Sequence, residues 1–331
     1  MITVNINGIS YGGSGVGKVV SADREELVGI TAFVPFTSPG DVVKAKVIEE
    51  SKRYLKAELS SIVDASPLRV EAACKVYGVC GGCNLQHLGY QSQIAEKQKM
   101  ILGAFVSGGL SKLEESISDL VPSPGNGNSY RRRAIFHISE DGRIGFYRQG
   151  THDVVGVETC IVIEPKIRDA IALLQPFGSA LYGKVRSISV ELDKDANVFV
   201  VLKTPGVIPE KSKAKLLKEL GGIFENLVLE EKGRVSHRQG LDFVELSLQG
   251  VDVGVRVPPG RFSQINWGIN EILISKVVDY LSDCATVADL YAGAGNFSLP
   301  IARDKKERVI SVESDSHLSA LALESSKKEK L

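Results

Sequence analysis

The 331-residue chain carries no net charge, because 40 Lys and Arg balance 40 Asp and Glu. A uniformly basic nucleic-acid-binding protein is thereby excluded: counterion release depends on clustered cations, so any such surface must be a local patch. No apolar run approaches the length of a membrane-spanning helix. The opening Met1-Ile-Thr-Val-Asn-Ile6 lacks the basic-then-apolar pattern of a secretory leader, which leads us to expect a reducing cytoplasm where disulfides are rare. Histidines number only five, and His137, His152, His237 and His317 share no spacing that would make a catalytic pair. Cysteines also number five, so a disulfide scheme would leave one over.

Three of those cysteines lie in Cys74-Lys-Val-Tyr-Gly-Val-Cys80-Gly-Gly-Cys83. Thiols at C-x5-C-x2-C spacing on a glycine-rich loop converge on a soft metal centre, and Cys160 can close the set at four. Four thiolates suit zinc or an iron–sulfur cluster, and spacing alone leaves both open. His87 is a rival ligand that four thiols make unnecessary.

The length permits two or three domains, and 43% hydrophobic with 24% charged residues is ordinary globular composition. Over the first sixty residues, Ile2, Val4 and Ile6, then Val43, Ala45 and Val47, then Leu55, Ala57 and Leu59 alternate with polar neighbours. Short alternating strands around the glycine turn at 12–17 predict a small OB-like β-barrel, a shape suited to oligonucleotides. Between Gln91 and Val106, Ile94, Ile101, Leu102 and Phe105 recur at helical spacing, and this stripe is expected to be core. After the Pro-Ser-Pro-Gly-Asn-Gly-Asn-Ser punctuation at 122–129 comes the cluster Tyr130-Arg131-Arg132-Arg133. A hairpin is expected across Glu140-Asp141-Gly142. It leads into a mixed α+β region with strands over 185–192, 198–202, 227–230 and 243–248 and a Lys-rich helix over 210–220. Internal repeats are absent.

From Pro258 the pattern becomes α/β. Asn270 is expected to cap a helix whose Ile272, Leu273, Val277, Val278 and Leu281 make an apolar face, followed by a strand over 286–291. Ala292-Gly293-Ala294-Gly295-Asn296, a helix through Arg303 and a strand ending at Glu313 complete a β-α-β opening of a nucleotide-binding sheet. The glycines admit a ligand close to the backbone, and Glu313 can accept hydrogen bonds from two ribose hydroxyls. A dinucleotide loop wants a third small residue where Ser298 stands, so S-adenosylmethionine fits better than a nicotinamide cofactor.

Together these segments resemble the RNA 5-methyluridine methyltransferases of the RumA type along nearly the whole chain. The likeness rests on Cys80-Gly-Gly-Cys-Asn-Leu-Gln-His87, Tyr130-Arg-Arg-Arg-Ala134, Gly145-Phe146-Tyr147 leading to Cys160, Arg261-Phe262-Ser-Gln264-Ile-Asn266 and Asp289-Leu-Tyr-Ala-Gly-Ala-Gly-Asn296. It implies a multidomain α+β protein. A TRAM barrel over 1–62 would precede a central domain over 63–252 with a four-cysteine [4Fe-4S] cluster, and an incomplete Rossmann-like methyltransferase domain over 253–331 would contribute its first two strands. Carried over residue by residue, Cys74, Cys80, Cys83 and Cys160 would hold the cluster. Gln264, Tyr291, Asn296 and Glu313 would contact S-adenosylmethionine, Phe262 would stack on a base, and Arg131, Arg132 and Arg133 would hold RNA phosphates. The cluster is expected to be structural.

Uracil C5 methylation requires a thiolate that adds to carbon 6 and a base that removes the carbon-5 proton. In the resembled family both lie downstream of a point equivalent to Leu331, so residues 1–331 are expected not to turn over. Cys284 stands before the first α/β strand, away from its ligand-binding end, and reads as packing. The resemblance implies a monomer at full length, acting on large-subunit ribosomal RNA, with transfer RNA as the alternative. The other readings are a non-catalytic RNA-binding metal protein, and, least favoured, a nicotinamide-linked oxidoreductase.

Overall fold

The computed structural model describes residues 1–248, 253–304 and 308–331. Contacts divide the chain into two compact units: Met1–Pro122 with Tyr147–His152, and Ser123–Phe146 with Asp153–Leu331. The sequence pattern suggests three domains instead, and the two divisions differ in where the cysteines fall: Cys74–Cys83 group with the barrel while Cys160 belongs to the second unit. The expected boundary at 252 lies outside the described residues.

In the first unit β1 (Ile2–Ile9), β2 (Ser14–Ala22), β3 (Thr31–Pro35), β4 (Val42–Glu50) and β5 (Tyr54–Asp64) close a barrel in the order β1-β2-β3-β5-β4. The alternation read from sequence is the inside–outside alternation of the strands: Ile2, Val4, Ile6, Val43, Ala45, Leu55 and Ala57 are all buried. Gly17 permits the tight β1–β2 approach, because a Cβ there would lie 1.9 Å from the Asn5 carbonyl oxygen. Below the barrel the buried Asp41 carboxylate accepts from the Ser38 and Ser66 amides and from the Arg69 guanidinium, at 2.6–3.0 Å. Helix α1 (Tyr90–Ser107) forms where expected, but its stripe is not core: Ile101 is exposed, Ile94, Leu102 and Phe105 are half-buried, and Glu96 is its only buried residue. A helix on a small barrel finds too little apolar surface to cover the whole stripe.

The second unit contains β6 (Arg133–Ile138), most of β7 (Ile144–Tyr147), β8 (Val154–Gly156), α2 (Pro165–Leu174), α3 (Gly178–Leu181), β9 (Ser187–Leu192), β10 (Val198–Thr204), α4 (Glu210–Gly221), β11 (Asn226–Glu231) and β12 (Arg234–Gln239). Its seven-stranded sheet has the order β12-β11-β10-β9-β6-β7-β8. One face, with Phe136, Ile188, Val190, Leu192, Val200 and Leu202, packs on Ile167, Ile171, Leu174, Leu216 and Leu220 from α2 and α4. Burying each such side chain is worth roughly 1.5–3 kcal/mol. The opposite face carries Arg133, Glu191, Phe199, Val201 and Lys203, and Phe199 belongs to the core of the following α/β segment.

That segment runs β13 (Val244–Leu248), β14 (Val253–Val257), α5 (Trp267–Tyr280), β15 (Thr286–Leu290), α6 (Ser298–Asp304), β16 (Arg308–Val312) and α7 (Ser316–Glu329). β13 and β14 form a hairpin, and β15 and β16 pair in parallel, as the β-α-β reading requires. Trp267, Ile274, Val278, Val287, Leu299 and Ile301 make its core. Among the described residues β15 pairs with β16 alone, and Leu290, Ile310 and Val312 are exposed on the pair. Asn266 caps α5, where Asn270 was expected to: its side chain accepts from the Ile269 amide. The helix begins one turn earlier because Trp267 inserts into the core and donates its indole N–H to the Ser247 carbonyl.

Candidate cofactor and RNA site

β15 ends at Leu290, and the chain then turns sharply. Tyr291 adopts φ +61, a left-handed conformation costly for a non-glycine residue, and its side chain is 93% exposed. Gly293 and Gly295 follow at φ +57 and +95. A Cβ on Gly293 would meet no heavy atom within 4 Å, whereas one on Gly295 would lie 2.7 Å from Leu299 Cγ. The first glycine therefore borders open space and the second packs against its own helix.

Glu313, just past the end of β16, accepts from the Gly293 amide at 2.8 Å through Oε2 and from the Asp315 amide at 2.8 Å through Oε1. These amides hold its carboxyl below the usual range. Asp315 caps α7 by accepting from the Leu318 and His317 amides, which lower its own carboxyl. Asp289 accepts from the Ser298 amide at 3.0 Å, closing the loop beneath, and burial raises its carboxyl despite that bond. Asn296 and Asn270 exchange two amide hydrogen bonds, at 2.8 and 3.0 Å, which ties the glycine loop to α5. Asn270 is 2% exposed, and its role is this pairing.

Phe262 and Gln264 lie on the segment between β14 and α5. Pro258-Pro259-Gly260-Arg261 forms a turn closed by the Arg261 amide on the Pro258 carbonyl at 3.1 Å, with Gly260 at φ +80, the position where a type II turn demands glycine. At the far end the Arg132 amide donates to the Ile265 carbonyl at 3.1 Å, and Arg131 bridges Asn266. Between these anchors Phe262 stands 74% exposed, an aromatic face open to a ligand, while Gln264 is half-buried.

The three arginines expected to hold phosphates have different settings. Arg132 is bound to the Asp193 carbonyl and to Glu164, and Arg133 to Glu191 and the Gly260 carbonyl. Their guanidinium groups are committed within the protein. Arg131 has no side-chain partner among the described residues, and it lies beside Asn266 at the foot of the Phe262 segment.

The cysteine segment is shaped by other contacts. The Cys74 amide donates to Gln86 Oε1, the Cys80 amide to the Val76 carbonyl, and the Gly81 amide to the Tyr147 carbonyl. None of the five cysteines forms a disulfide. Among the described residues no group of three or more His, Cys, Asp or Glu is arranged to hold a metal ion, so the metal centre expected of Cys74, Cys80, Cys83 and Cys160 has no support from the structure. Sulfurs reach ligand spacing through their bonds to the metal itself. His87 is no rival ligand: it is buried, with Nδ1 2.5 Å from the Tyr77 hydroxyl and Nε2 3.1 Å from the Thr37 carbonyl. Burial lowers the imidazole and raises the Tyr77 phenol to about 12.

Three groups escaped sequence reading: Asn270 as a loop tie, Glu191 as a buried carboxyl, and the Asp41–Arg69 pair. For Glu191 a signal existed, because Ser187-Ile-Ser-Val-Glu-Leu192 alternates with its charge on the face opposite the apolar one.

The TRAM domain family matches residues 1–60. The 23S rRNA (uracil(1939)-C(5))-methyltransferase RlmD of Shewanella amazonensis is 31% identical over 305 residues, covering 89% of this chain and 67% of that protein. RlmD of Shewanella piezotolerans is 30% identical, covering 94% and 70%. The chain spans about two thirds of the length of these relatives. The crystal structure of Pyrococcus abyssi tRNA (uracil-54, C5)-methyltransferase in complex with S-adenosyl-L-homocysteine superposes with a TM-score of 0.75 at 24% identity, covering all of this chain and 77% of that one. No helix among the described residues is long and apolar enough to cross a membrane. A barrel of the TRAM type, an α/β segment with a glycine loop closed by an acidic side chain, and this level of identity place the chain in the family of S-adenosylmethionine-dependent RNA uracil-C5 methyltransferases.

Proposed function

We propose that the chain binds S-adenosylmethionine at the glycine loop and RNA on the barrel and the Phe262 segment, within an enzyme that methylates carbon 5 of a uridine in large-subunit ribosomal RNA in the cytoplasm. The observation that carries this is the closure of Glu313 onto the Gly293 amide at the exit of β15. It sets an acidic acceptor beside an open glycine position, which is where an adenosine ribose needs one. Tyr291 and Asn296 flank the loop, and Gln264 is assigned to the same donor. The methyl donor supplies an electrophilic carbon; the residues here hold and orient it.

Phe262 offers its face to a splayed-out base, and Arg131 is the member of the arginine run best placed to meet a phosphate. Cys284, two residues before β15, lies at the opposite end of that strand from the glycine loop, with the strand itself spanning about 17 Å at ~3.3 Å per residue. No thiol of the α/β segment therefore reaches the reaction centre, and residues 1–331 alone bind the donor and RNA without turnover. The ribosomal target follows the RlmD relatives. The iron–sulfur cluster enters this proposal through its donor set alone, three thiols at C-x5-C-x2-C with Cys160 as a fourth, and no step depends on it.

The experiment is calorimetric titration of the chain with S-adenosyl-L-homocysteine, beside tritium transfer from labelled S-adenosylmethionine to unmodified ribosomal RNA. Binding that Glu313→Ala abolishes, without methyl transfer, is the expected result. An absence of binding would refute the cofactor assignment, and methylation by residues 1–331 would refute the placement of the nucleophile.

A further inference from the structure

Glu191 is a carboxyl group, 2% exposed, in the middle of the central sheet, which is a costly place for a charge. Its surroundings explain the position. Oε1 accepts from the Gly260 amide at 2.5 Å, and Oε2 faces Arg133 Nε at 3.4 Å, the residue paired with it across β6 and β9. The Gly260 carbonyl in turn accepts from Lys203 Nζ at 3.0 Å and Arg133 Nη2 at 3.3 Å. Lys203 also faces Glu230 at 3.6 Å. Three ionisable side chains from three adjacent strands thus hold both peptides flanking Gly260, whose φ is +80. The fit is tight, since a Cβ on Gly260 would lie 3.1 Å from Val201 Cγ1 and 3.3 Å from Lys203 Cε.

We propose that Glu191, with Arg133 and Lys203, is a positioning residue that presets the Arg261–Gln264 segment, so that Phe262 meets the RNA base and Gln264 the cofactor without a prior ordering step. The proposal rests on the reading of Phe262 and Gln264 given above. Stability alone does not account for the arrangement, because an apolar side chain in place of a buried ion group is often neutral or stabilising. What the ion group adds is direction. Hydrogen bonds to the amide and the carbonyl of one residue select one backbone geometry where apolar packing would tolerate several. The segment is pinned at its other end by Arg132 on Ile265, so the four residues between are held as an arch whose apex is Phe262. Ordering the arch before RNA arrives removes some of the entropy cost of binding.

The test compares Glu191→Leu, which fills the volume but accepts no hydrogen bond, with Glu191→Gln, which still accepts from Gly260. Three readouts are taken on the full chain: the rate of tryptic cleavage after the exposed Arg261, the emission of Trp267, which is the chain's single tryptophan, and affinity for a uridine-containing RNA hairpin. For Glu191→Leu we expect cleavage after Arg261 to rise about tenfold or more, while the Trp267-reported unfolding midpoint stays near wild type and RNA binding weakens about tenfold, in the range of one lost base stack. Glu191→Gln should restore most of both. In the Glu191→Leu background Phe262→Ala should cost nothing further, because the disordered arch no longer presents the ring. Wild-type cleavage after Arg261 in Glu191→Leu would overturn the proposal. So would a full additional loss of RNA affinity from Phe262→Ala in that background. If Phe262→Ala has no effect in the wild-type chain, the base-stacking reading fails while cleavage after Arg261 still decides the positioning role. Should Glu191→Leu not fold, Gly260→Ala perturbs the same turn, and unchanged cleavage after Arg261 in that variant would equally overturn the proposal.

Discussion

Gly293 and Gly295, two residues apart in one loop, should fail in opposite ways when each is replaced by alanine. Both have positive φ, so each alanine incurs about 1–2 kcal/mol of backbone strain, offset by about 0.4–1 kcal/mol from a stiffer unfolded chain. At Gly293 nothing else is added, because the new methyl meets open space. At Gly295 the methyl falls 2.7 Å from Cγ and 2.9 Å from Cδ1 of Leu299, a buried side chain that cannot swing away, and such overpacking costs typically another ~1–3 kcal/mol. Gly293→Ala is therefore expected to lose about 1 kcal/mol or less, and Gly295→Ala about 2–4 kcal/mol. Leu299 and Trp267 share one core, so urea unfolding followed by Trp267 emission reports on this segment. The binding order is the reverse of the stability order per unit of damage. A methyl on Gly293 occupies the space assigned to the methyl donor, so S-adenosyl-L-homocysteine affinity should fall at least tenfold in a variant that is nearly as stable as wild type. If Gly293→Ala binds normally, the open space beside it is not the cofactor pocket. Were Gly295→Ala as stable as wild type, the packing of Leu299 against the loop would be wrong.

Asn270→Ala should cost about 1–3 kcal/mol by stranding the Asn296 amide, and a double-mutant cycle with Asn296→Ala should show coupling. Asp41→Ala should cost about 3–5 kcal/mol, leaving Arg69 uncompensated, as hydrogen exchange in the barrel would report. Burial opposes the Asp41 charge, but Arg69 and the Ser38 and Ser66 amides outweigh it and hold the carboxyl below 3.8. The associated stability is present above that value and lost as pH falls through the lower folded value, which amide exchange measured between pH 2 and 5 should show, and Asp41→Asn should flatten. Glu191 has the opposite sign: burial pushes its carboxyl up to about 7, against the Gly260 amide, Arg133 and Lys203. Its contribution is full below about 4.5 and is lost as pH rises through about 7, so Trp267-monitored stability should decline over that window and Glu191→Gln should remove the decline. Iron and sulfide assay of anaerobically prepared protein, with Cys80→Ala as control, tests the cluster.

Much of the architecture was legible in the residues. The period-two alternation of Ile2, Val4 and Ile6 or of Val43 and Ala45 leaves a strand no choice of face, and the barrel follows. The β-α-β opening was legible as well, because glycines at positive φ and an acid after the second strand are requirements of the backbone and not of its surroundings. The α1 stripe was misleading for a physical reason: periodicity states which residues share a face but not whether another surface exists to cover them.

Asn266 and Asn270 illustrate the same limit, since either could cap a helix by type, and only the insertion of Trp267 into the core chose the first. Local residue type thus determined strands, turns and the glycine loop, because these depend on φ, on side-chain alternation and on neighbours a few positions away. Tertiary structure decided which charges are spent on partners inside the protein and which are not. Arg131, Arg132 and Arg133 are the same residue type, yet Asp193, Glu164 and Glu191, distant along the chain, engage the second and third and leave the first beside Asn266. The Coulomb energy and the desolvation of a charged group depend on separations across the fold, which no spacing along the chain encodes.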